Sequence, residues 1–488
     1  MTAIDNSAPS GLSAAKEELI ARLLGGRGIS NPAATLGATG LTYGLPQLQH
    51  DAAHRYEKFP LSETQQAYWV GRRKAGEFGT VGAHSYVEVR MDSLDVERLE
   101  RAWGAVVERH DMLRAVIDSD GKQRILRQTG EYRIEREDYG SEGDCELARA
   151  RLRDLMSHEV FDVARWPLFR LVVTRGPGCG AMLHLNVDGV LLDSWSLSTV
   201  ISECVAWYAT PELRLPPLAV TFRDYIMAGL AIRTEPRYKA SLRWWRQRLA
   251  TLPGPPELPV TKRPQPLSNP KLVRCGGELN ADRWRRLRQK ANLDGITPPC
   301  LLLTLYAEAL GKWCSSRRFT VSLPRFDRPA VHPQIDLVAG KFASFTLLCC
   351  DLSAPATLRE RSRAIQRETW DLLEHQDVSG LTVIRELIKL RGRESASFPV
   401  AFAPSPNFGS HKPSTRTPTE ASVLHAVTQT PQVWLKFQVG EQDECLVFNW
   451  DAIDGLFPPG VLEEANTLFT QLLESLAADD ARWDLPAF

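Results

Sequence analysis

The sequence lacks an excess of charge of either sign: Lys plus Arg and Asp plus Glu both number 59 in 488 residues. No global field draws the chain to nucleic acid or to an anionic membrane, so partners must be met through local patches. It lacks a CxxC pair, and its nine cysteines, at 145, 179, 204, 275, 300, 314, 349, 350 and 445, are an odd number. That pattern argues against a zinc site and against a disulfide framework, and reads as small buried hydrophobes in a reducing compartment. It also lacks any apolar run of membrane-spanning length, and the opening "MTAIDNSAPSGLSAAKEEL" has no basic-then-apolar signal pattern. These absences predict a cytoplasmic protein with no metal, no nucleic acid and no membrane among its partners.

What is present is an ordinary core-forming composition, 43% apolar and 24% charged, in a chain long enough for two lobes. Residues 1–57 read as a polar leader with one helix, "AAKEELIARLLGG", ended by Gly-Gly. A first lobe spans 58–250, where "LDVERLERAWGAVVERHDML" carries an apolar stripe of Leu94, Leu99, Trp103, Val106 and Val107 and "FRLVVTR" and "GAMLHLNV" read as strands. The Pro-rich stretch 251–271 can be neither a helix interior nor a central strand and is the expected interlobe linker. A second lobe, 272–488, repeats the mixed α/β style, ending in the hairpin "PQVWLKFQVG" and "ECLVFNWD". The loop "SPNFGSHKPSTRTPTEA" reads as mobile.

Within the first lobe, "HLNVDGVLLDSWSLSTV" places Asp188 and Asp193 five residues apart in apolar surroundings. Asp188-Gly189 reads as the turn ending a strand. Asp193, followed by Ser194, reads as the N-cap of a helix whose apolar positions run from Leu197 to Tyr208. His184 shares strand parity with Asp188 and so lies on its face, either as support for the motif or as a satisfied core histidine. His110 ends a helix, where a cation complements the dipole. The basic runs "QRILRQ" and "RWRRLRQK" read as solvated faces, with docking of an acidic partner as the alternative.

Six stretches, in order, resemble the signature motifs of the heterocyclization domains of nonribosomal peptide synthetases, relatives of condensation domains: "FPLSETQQAYWVGR" (59–72), "RHDMLRAV" (109–116), "DGVLLDSWS" (188–196), "TPPCLLLTLYAEALGKW" (297–313), "TPQVWLKFQ" (430–438) and "FNWDAIDGLFP" (448–458). The resemblance covers about residues 55–485. It implies two chloramphenicol-acetyltransferase-like α/β lobes in a V-shaped pseudo-dimer with a central tunnel. Donor and acceptor carrier proteins would present phosphopantetheine-tethered groups from opposite mouths, with no cofactor bound by the chain itself. Condensation domains carry HHxxxDG at the site; heterocyclization domains carry DxxxxDxxS, met here by Asp188, Asp193 and Ser196. Gly189 then stands where condensation domains have their second histidine. The resemblance also makes Arg328, in "FDRPAVHP", a partner for the carboxylate oxygen of Asp193 that the helix cap leaves over.

Three motifs depart from the family. The usual PVVFTS is "FPVAFAP", with Ala403 at the Thr; the usual PQVxLD is "PQVWLK", with Lys436 at the Asp; the usual GDFT is "GKFA", with Lys341 and Ala343. A hydroxyl and a carboxylate suited to proton transfer have become a methyl and an ammonium. Amide formation needs mainly positioning, whereas closing a ring and expelling water needs a proton donor and a base. The expectation is a free-standing acyltransferase, with Asp188 and Asp193 as its central acids, that joins two carrier-tethered groups without cyclodehydration; substrates would be activated by other polypeptides. The rivals are full heterocyclization by altered residues and a silent carrier-binding module.

Overall fold

The computed structural model describes residues 47–73, 83–91, 94–261, 271–326, 328–329, 331–405, 421–429 and 432–486. The expected leader helix, the greater part of the loop after Pro404, and residues 262–270 of the Pro-rich stretch lie outside them. In chain order the strands are β1 (Phe59–Pro60), β2 (His84–Met91), β3 (Ala115–Ile117), β4 (Lys122–Ile125), β5 (Glu135–Asp138), β6 (Phe169–Gly176), β7 (Gly180–Asp188), β8 (Leu272–Leu279), β9 (Arg318–Phe326), β10 (Ala343–Asp351), β11 (Val400–Pro404), β12 (Ala421–Gln429), β13 (Leu435–Gln442) and β14 (Cys445–Ile453). They form a three-stranded sheet β1-β4-β3, a five-stranded sheet β12-β2-β7-β6-β5 and a six-stranded sheet β10-β9-β11-β13-β14-β8.

Each large sheet anchors one core. On the first, Leu171, Val173, Leu185 and Val187 alternate inward along β6 and β7 and meet Leu99, Trp103 and Val106 of the helix Val96–Arg109. Asp95 caps that helix by accepting the Arg98 N–H at 3.0 Å. The second core is built around the helix Pro298–Gly311, which starts with prolines at its first turn and is buried from Pro299 to Gly311. It is apolar all round because sheet and helices enclose it. Phe437 of β13 stands 4.7 Å from the rings of both Trp450 and Phe469.

The two cores do not follow the chain in simple halves. Trp245 and Leu249, on the helix Pro236–Leu249, are buried in the second core, so the first lobe's contribution ends before that helix, not at 250. Conversely, Val331, Ile335, Val338, Ala339 and Phe342 are buried in the first core, and β12 pairs antiparallel with β2 of the first sheet. Residue spacing shows amphipathic faces but not which core they meet; both exchanges are long-range contacts.

The expected absence of disulfides is also corrected. Cys145 and Cys179 form one, with Cα atoms 6.8 Å apart. The helix Glu142–Met156 sets its first turn against the β6–β7 hairpin turn, a juxtaposition that an odd cysteine count conceals. Among the described residues, no helix is long and apolar enough to cross a membrane.

Candidate active site

Asp188 is the last residue of β7 and is 2% exposed. Its N–H bonds Leu168 O at 3.0 Å on the β6 side, while Gly189 N–H bonds Ala83 O at 2.7 Å. A Cβ on Gly189 would lie 2.8 Å from the Ala83 Cβ and 2.9 Å from its carbonyl oxygen, so the approach of these backbones demands glycine. No imidazole fits at 189 without moving β2. Asp188 Oδ1 accepts the Val190 N–H at 2.9 Å and also a hydrogen bond from Arg72 Nη2. Arg72 lies near the end of the helix Glu63–Arg73, and its side chain is 9% exposed. Directly across the ladder from Asp188 stands His84, also buried.

Asp193 caps the helix Ser194–Ala209: its Oδ1 accepts the Ser196 N–H at 2.8 Å. Its Oδ2 accepts the N–H groups of Phe342 and Ala343, both at 3.0 Å. Arg328 does approach Asp193, but on the capping oxygen rather than the other one, with Nη2 3.6 Å from Oδ1. Its main contacts are Ser196 Oγ at 2.7 Å, the carbonyls of Ile335 and Val338 at 2.7 and 2.9 Å, and the Phe342 ring 4.0 Å below. Ser196 Oγ donates to Gly340 O at 2.7 Å and accepts the Gly340 N–H at 3.0 Å. Asp193, Ser196 and Arg328 thus fasten the segment 335–343 to the helix start. Ala343 contributes through its backbone, which any residue supplies. Lys341 is 9% exposed, with its ammonium 5.0 Å from the Tyr68 ring.

His184 is wholly buried, and the structure supports its core reading. Tyr86 OH lies 2.7 Å from Nδ1 and Thr174 Oγ1 3.2 Å from Nε2. Because the Tyr86 hydroxyl proton goes to Glu88 at 2.8 Å, its oxygen accepts from Nδ1–H, and Nε2 accepts from Thr174. Burial pushes this imidazole down to about 4, which keeps it neutral. Its polar atoms are spent within the sheet, four residues from Asp188.

A second polar group lies on the six-stranded sheet. Lys436 of β13 is opposite Asp451 of β14, with Nζ 3.8 Å from Oδ2. Arg274 of β8 lies opposite Asp451 on the other side and donates to both carboxylate oxygens, at 2.5 Å and 3.0 Å. With its amide turned to suit its neighbours, Gln438 donates to Asp451 Oδ2 at 2.9 Å and accepts from Lys436 Nζ at 3.2 Å. Ala403 is the register neighbour of Gln438 on β11. Strand registers put Ala343, Ala403 and Lys436 on one face of this sheet. Burial pushes the Lys436 ammonium below the ordinary lysine range, against the opposing pull of Asp451.

The stretch 59–72 binds these parts together. Thr64 Oγ1 donates to Ala343 O at 2.8 Å, and Gln65 Nε2 donates to Val190 O at 2.8 Å. Glu63 accepts from Thr382 at 2.9 Å and from Arg233 at 2.9 Å. The run 281–293 is engaged within its own lobe: Arg283 pairs with Glu474, Arg285 with Glu444 and Arg288 with Glu441. Sequence reasoning missed Arg72 and Asp451, which pair with Asp188 and Lys436. Both lie in quoted motifs.

The family model described as Condensation domain matches residues 56–482, and the chain belongs to that family. It is 33% identical over 442 residues to pyochelin synthetase PchF of Pseudomonas aeruginosa, covering 89% of this chain and 24% of that protein. It is 34% identical over 449 residues to phenyloxazoline synthase MbtB of Mycobacterium tuberculosis, covering 88% of this chain and 30% of that one. The chain therefore spans about a third or less of the length of these two curated relatives. Among solved structures it matches the EpoB cyclization-docking bidomain of a nonribosomal peptide synthetase from Sorangium cellulosum, with a TM-score of 0.82 and 34% identity over 90% of this chain and 89% of that one. The two-lobed α/β fold expected from the motifs is the fold of these condensation and cyclization domains.

Proposed function

We propose that the protein joins two groups, each tethered as a thioester to the phosphopantetheine arm of a carrier protein, by forming an amide bond, and that it does so without cyclodehydration. The observation that carries this reading is the Lys436 group. Where the heterocyclization pattern has an Asp and a Thr, this sheet has an ammonium held by Asp451 and Gln438, and a methyl at Ala403. Expelling water from a ring-closed intermediate requires a proton delivered to the departing oxygen and one taken from nitrogen. A salt-bridged lysine beside a methyl offers no hydroxyl to relay either proton. The ammonium can instead stabilise the oxygen that becomes negative as an amine attacks a thioester.

A second reading, cyclization by altered residues, has Asp451 in its favour: a carboxylate stands beside Lys436, so one acid and one base are already adjacent. One experiment separates the readings. The protein is mixed with two loaded carriers and the intact masses of the carriers are measured. A joined chain on the acceptor is the expected result; the same chain lighter by one water favours the second reading. Unchanged carriers leave neither and point to a binding module.

A further inference from the structure

We infer that Lys341 and the neighbouring Tyr68 hydroxyl form a carboxylate-binding subsite, so that one of the two groups joined here carries an acid; this rests on the reading of the site as a condensation centre. The backbone is fixed on both sides of Lys341. Gly340 exchanges two hydrogen bonds with Ser196 Oγ, and Asp193 Oδ2 holds the N–H groups of Phe342 and Ala343. Ser62 Oγ donates to Lys341 O itself at 3.4 Å. From this anchored point, just before β10 begins, the side chain crosses to the helix Glu63–Arg73 of the first lobe, where its ammonium lies 5.0 Å from the centre of the Tyr68 ring. Thr64, Tyr68 and Arg72 are spaced four residues apart on that helix and share one face. Thr64 bonds Ala343 O and Arg72 bonds Asp188. Lys341 therefore meets the same helix face that reaches Asp188, about 6 Å along the axis from the Arg72 level.

The charges of this region do not cancel. Asp188 is paired with Arg72, and Asp193 is taken up by its helix cap, two backbone N–H groups and Arg328. Lys341 is left over. Among the described residues it makes no ion pair, and neither its ammonium nor the Tyr68 hydroxyl has a hydrogen-bond partner. A ring face attracts a cation without neutralising it, and an ammonium on a side chain nine-tenths buried is costly without a counter-ion. Neither donor belongs to the polar atoms sealed from solvent without a partner, so both are open to a ligand between the lobes. Three N–H groups and a phenolic O–H converge there with no acceptor, which is the complement of an anion. A carboxylate is the anion that an acyl or aminoacyl thioester brings close to its own carbonyl; the phosphate of the arm lies at the opposite end of the pantetheine chain. The heterocyclization motif GDFT has an Asp where Lys341 stands, and an acid there would repel the same group.

The test compares an acid with its isosteric amide in two arms. In the first, succinyl-pantetheine and succinamoyl-pantetheine, which carry neither phosphate nor carrier, are titrated into the full chain by calorimetry. The acid should bind about 10-fold to 100-fold more tightly than the amide. Lys341→Gln should bring that ratio close to one, and Tyr68→Phe should reduce it about 2-fold to 10-fold; the second variant decides the matter should the first not fold. Equal binding of acid and amide by the parent, or a ratio unchanged in the folded variants, overturns the inference. So does a loss in Lys341→Gln confined to phosphopantetheine without an acyl group, which would assign the ammonium to the arm. In the second arm, amide formation between loaded carriers is followed by mass, with succinyl against succinamoyl donors and aspartyl against asparaginyl acceptors. One of the two pairs should favour the acid, and Lys341→Gln should remove the preference. A parent that joins acids and amides equally in both pairs overturns the subsite and leaves the condensation reading intact. A parent that joins no carrier pair, yet binds the acid over the amide in the first arm, overturns the condensation reading and leaves the subsite standing.

Discussion

Lys436 stands directly across from Asp451 on adjacent antiparallel strands, its Nζ 3.8 Å from Oδ2. The heterocyclization pattern puts an acid where Lys436 is. Two facing carboxylates would compete for one proton and keep it available for transfer. A lysine in that place makes an ion pair, already reinforced by Arg274, and ties up the charge instead. The substitution therefore changes what the site can do with protons while leaving both strands paired as before.

The same pair has a cost in stability with a defined pH dependence. Burial depresses the pKa of Lys436 below the ordinary lysine value of 10.5, so between the two values the unfolded chain holds more protons than the folded one. Stability contributed at this site rises with pH through that window, and below it the buried ammonium is a burden. Lys436→Met should raise the melting temperature near neutral pH, with the gain shrinking as pH climbs toward 10.5. Thermal scans of both proteins across that range check it; a variant less stable than the parent at neutral pH would show that the ion pair outweighs desolvation.

Asp193 offers the converse case, an acid whose contacts are all satisfied. Asp193→Ala removes a helix cap, leaves the Phe342 and Ala343 N–H groups without their acceptor and takes the carboxylate from beside Arg328. A lost cap alone costs about 0.5 to 2 kcal/mol, and breaking a buried charge pair about 3 to 5 kcal/mol. These terms share atoms and do not add fully, so a loss of about 3 to 5 kcal/mol is expected in urea unfolding. Asp193→Asn, which keeps one acceptor oxygen, should fall between. A loss below about 1 kcal/mol would mean that the junction is held by Ser196 and Arg328 without it.

Much of this was legible from residue types and spacing. The strand ending at Asp188 and the helix starting after Asp193 follow from alternation giving way to helical periodicity, and both stand where expected. The motifs placed Ser196 and Arg328 in one cluster, yet the atom that Arg328 approaches was assigned to the wrong oxygen, because which oxygen is left over depends on how 340–343 folds back. The strand beside Asp188 was invisible for a more general reason: "HSYVEVRM" announces a strand but not its partner, and only the β2–β7 register sets His84 opposite Asp188. The exchange of β12 into the first sheet and the Cys145–Cys179 bond were concealed in the same way, by contacts between segments far apart in the chain.

The contact between Arg72 and Asp188 carries its own prediction. Each side chain is nearly buried, so removing either charge alone strands the other. Arg72→Gln and Asp188→Asn should each destabilise by about 3 to 5 kcal/mol. The double variant should cost less than the sum, with a coupling of about 1 to 3 kcal/mol. Denaturant unfolding of the four proteins measures this cycle, and additive losses would show that the contact contributes nothing beyond its parts.

The sharpest consequence concerns the product. On the proposal that condensation stops at the amide for want of a relay, restoring the family residues should restore the second step. Ala403→Thr places a hydroxyl on β11 beside Gln438, and Lys436→Asp places a carboxylate facing Asp451, with Arg274 present to hold the second negative charge. Together they should yield a carrier-bound product lighter by one water when the acceptor bears Cys, Ser or Thr, in a fraction of turnovers that the parent does not match. Either change alone should do little, because groups that pass a proton between them act as a unit. The comparison that decides is the parent itself. A product already lighter by one water, formed with Ala403 and Lys436 in place, would mean that Asp451 and Lys436 perform the dehydration and that the missing hydroxyl is not required for it.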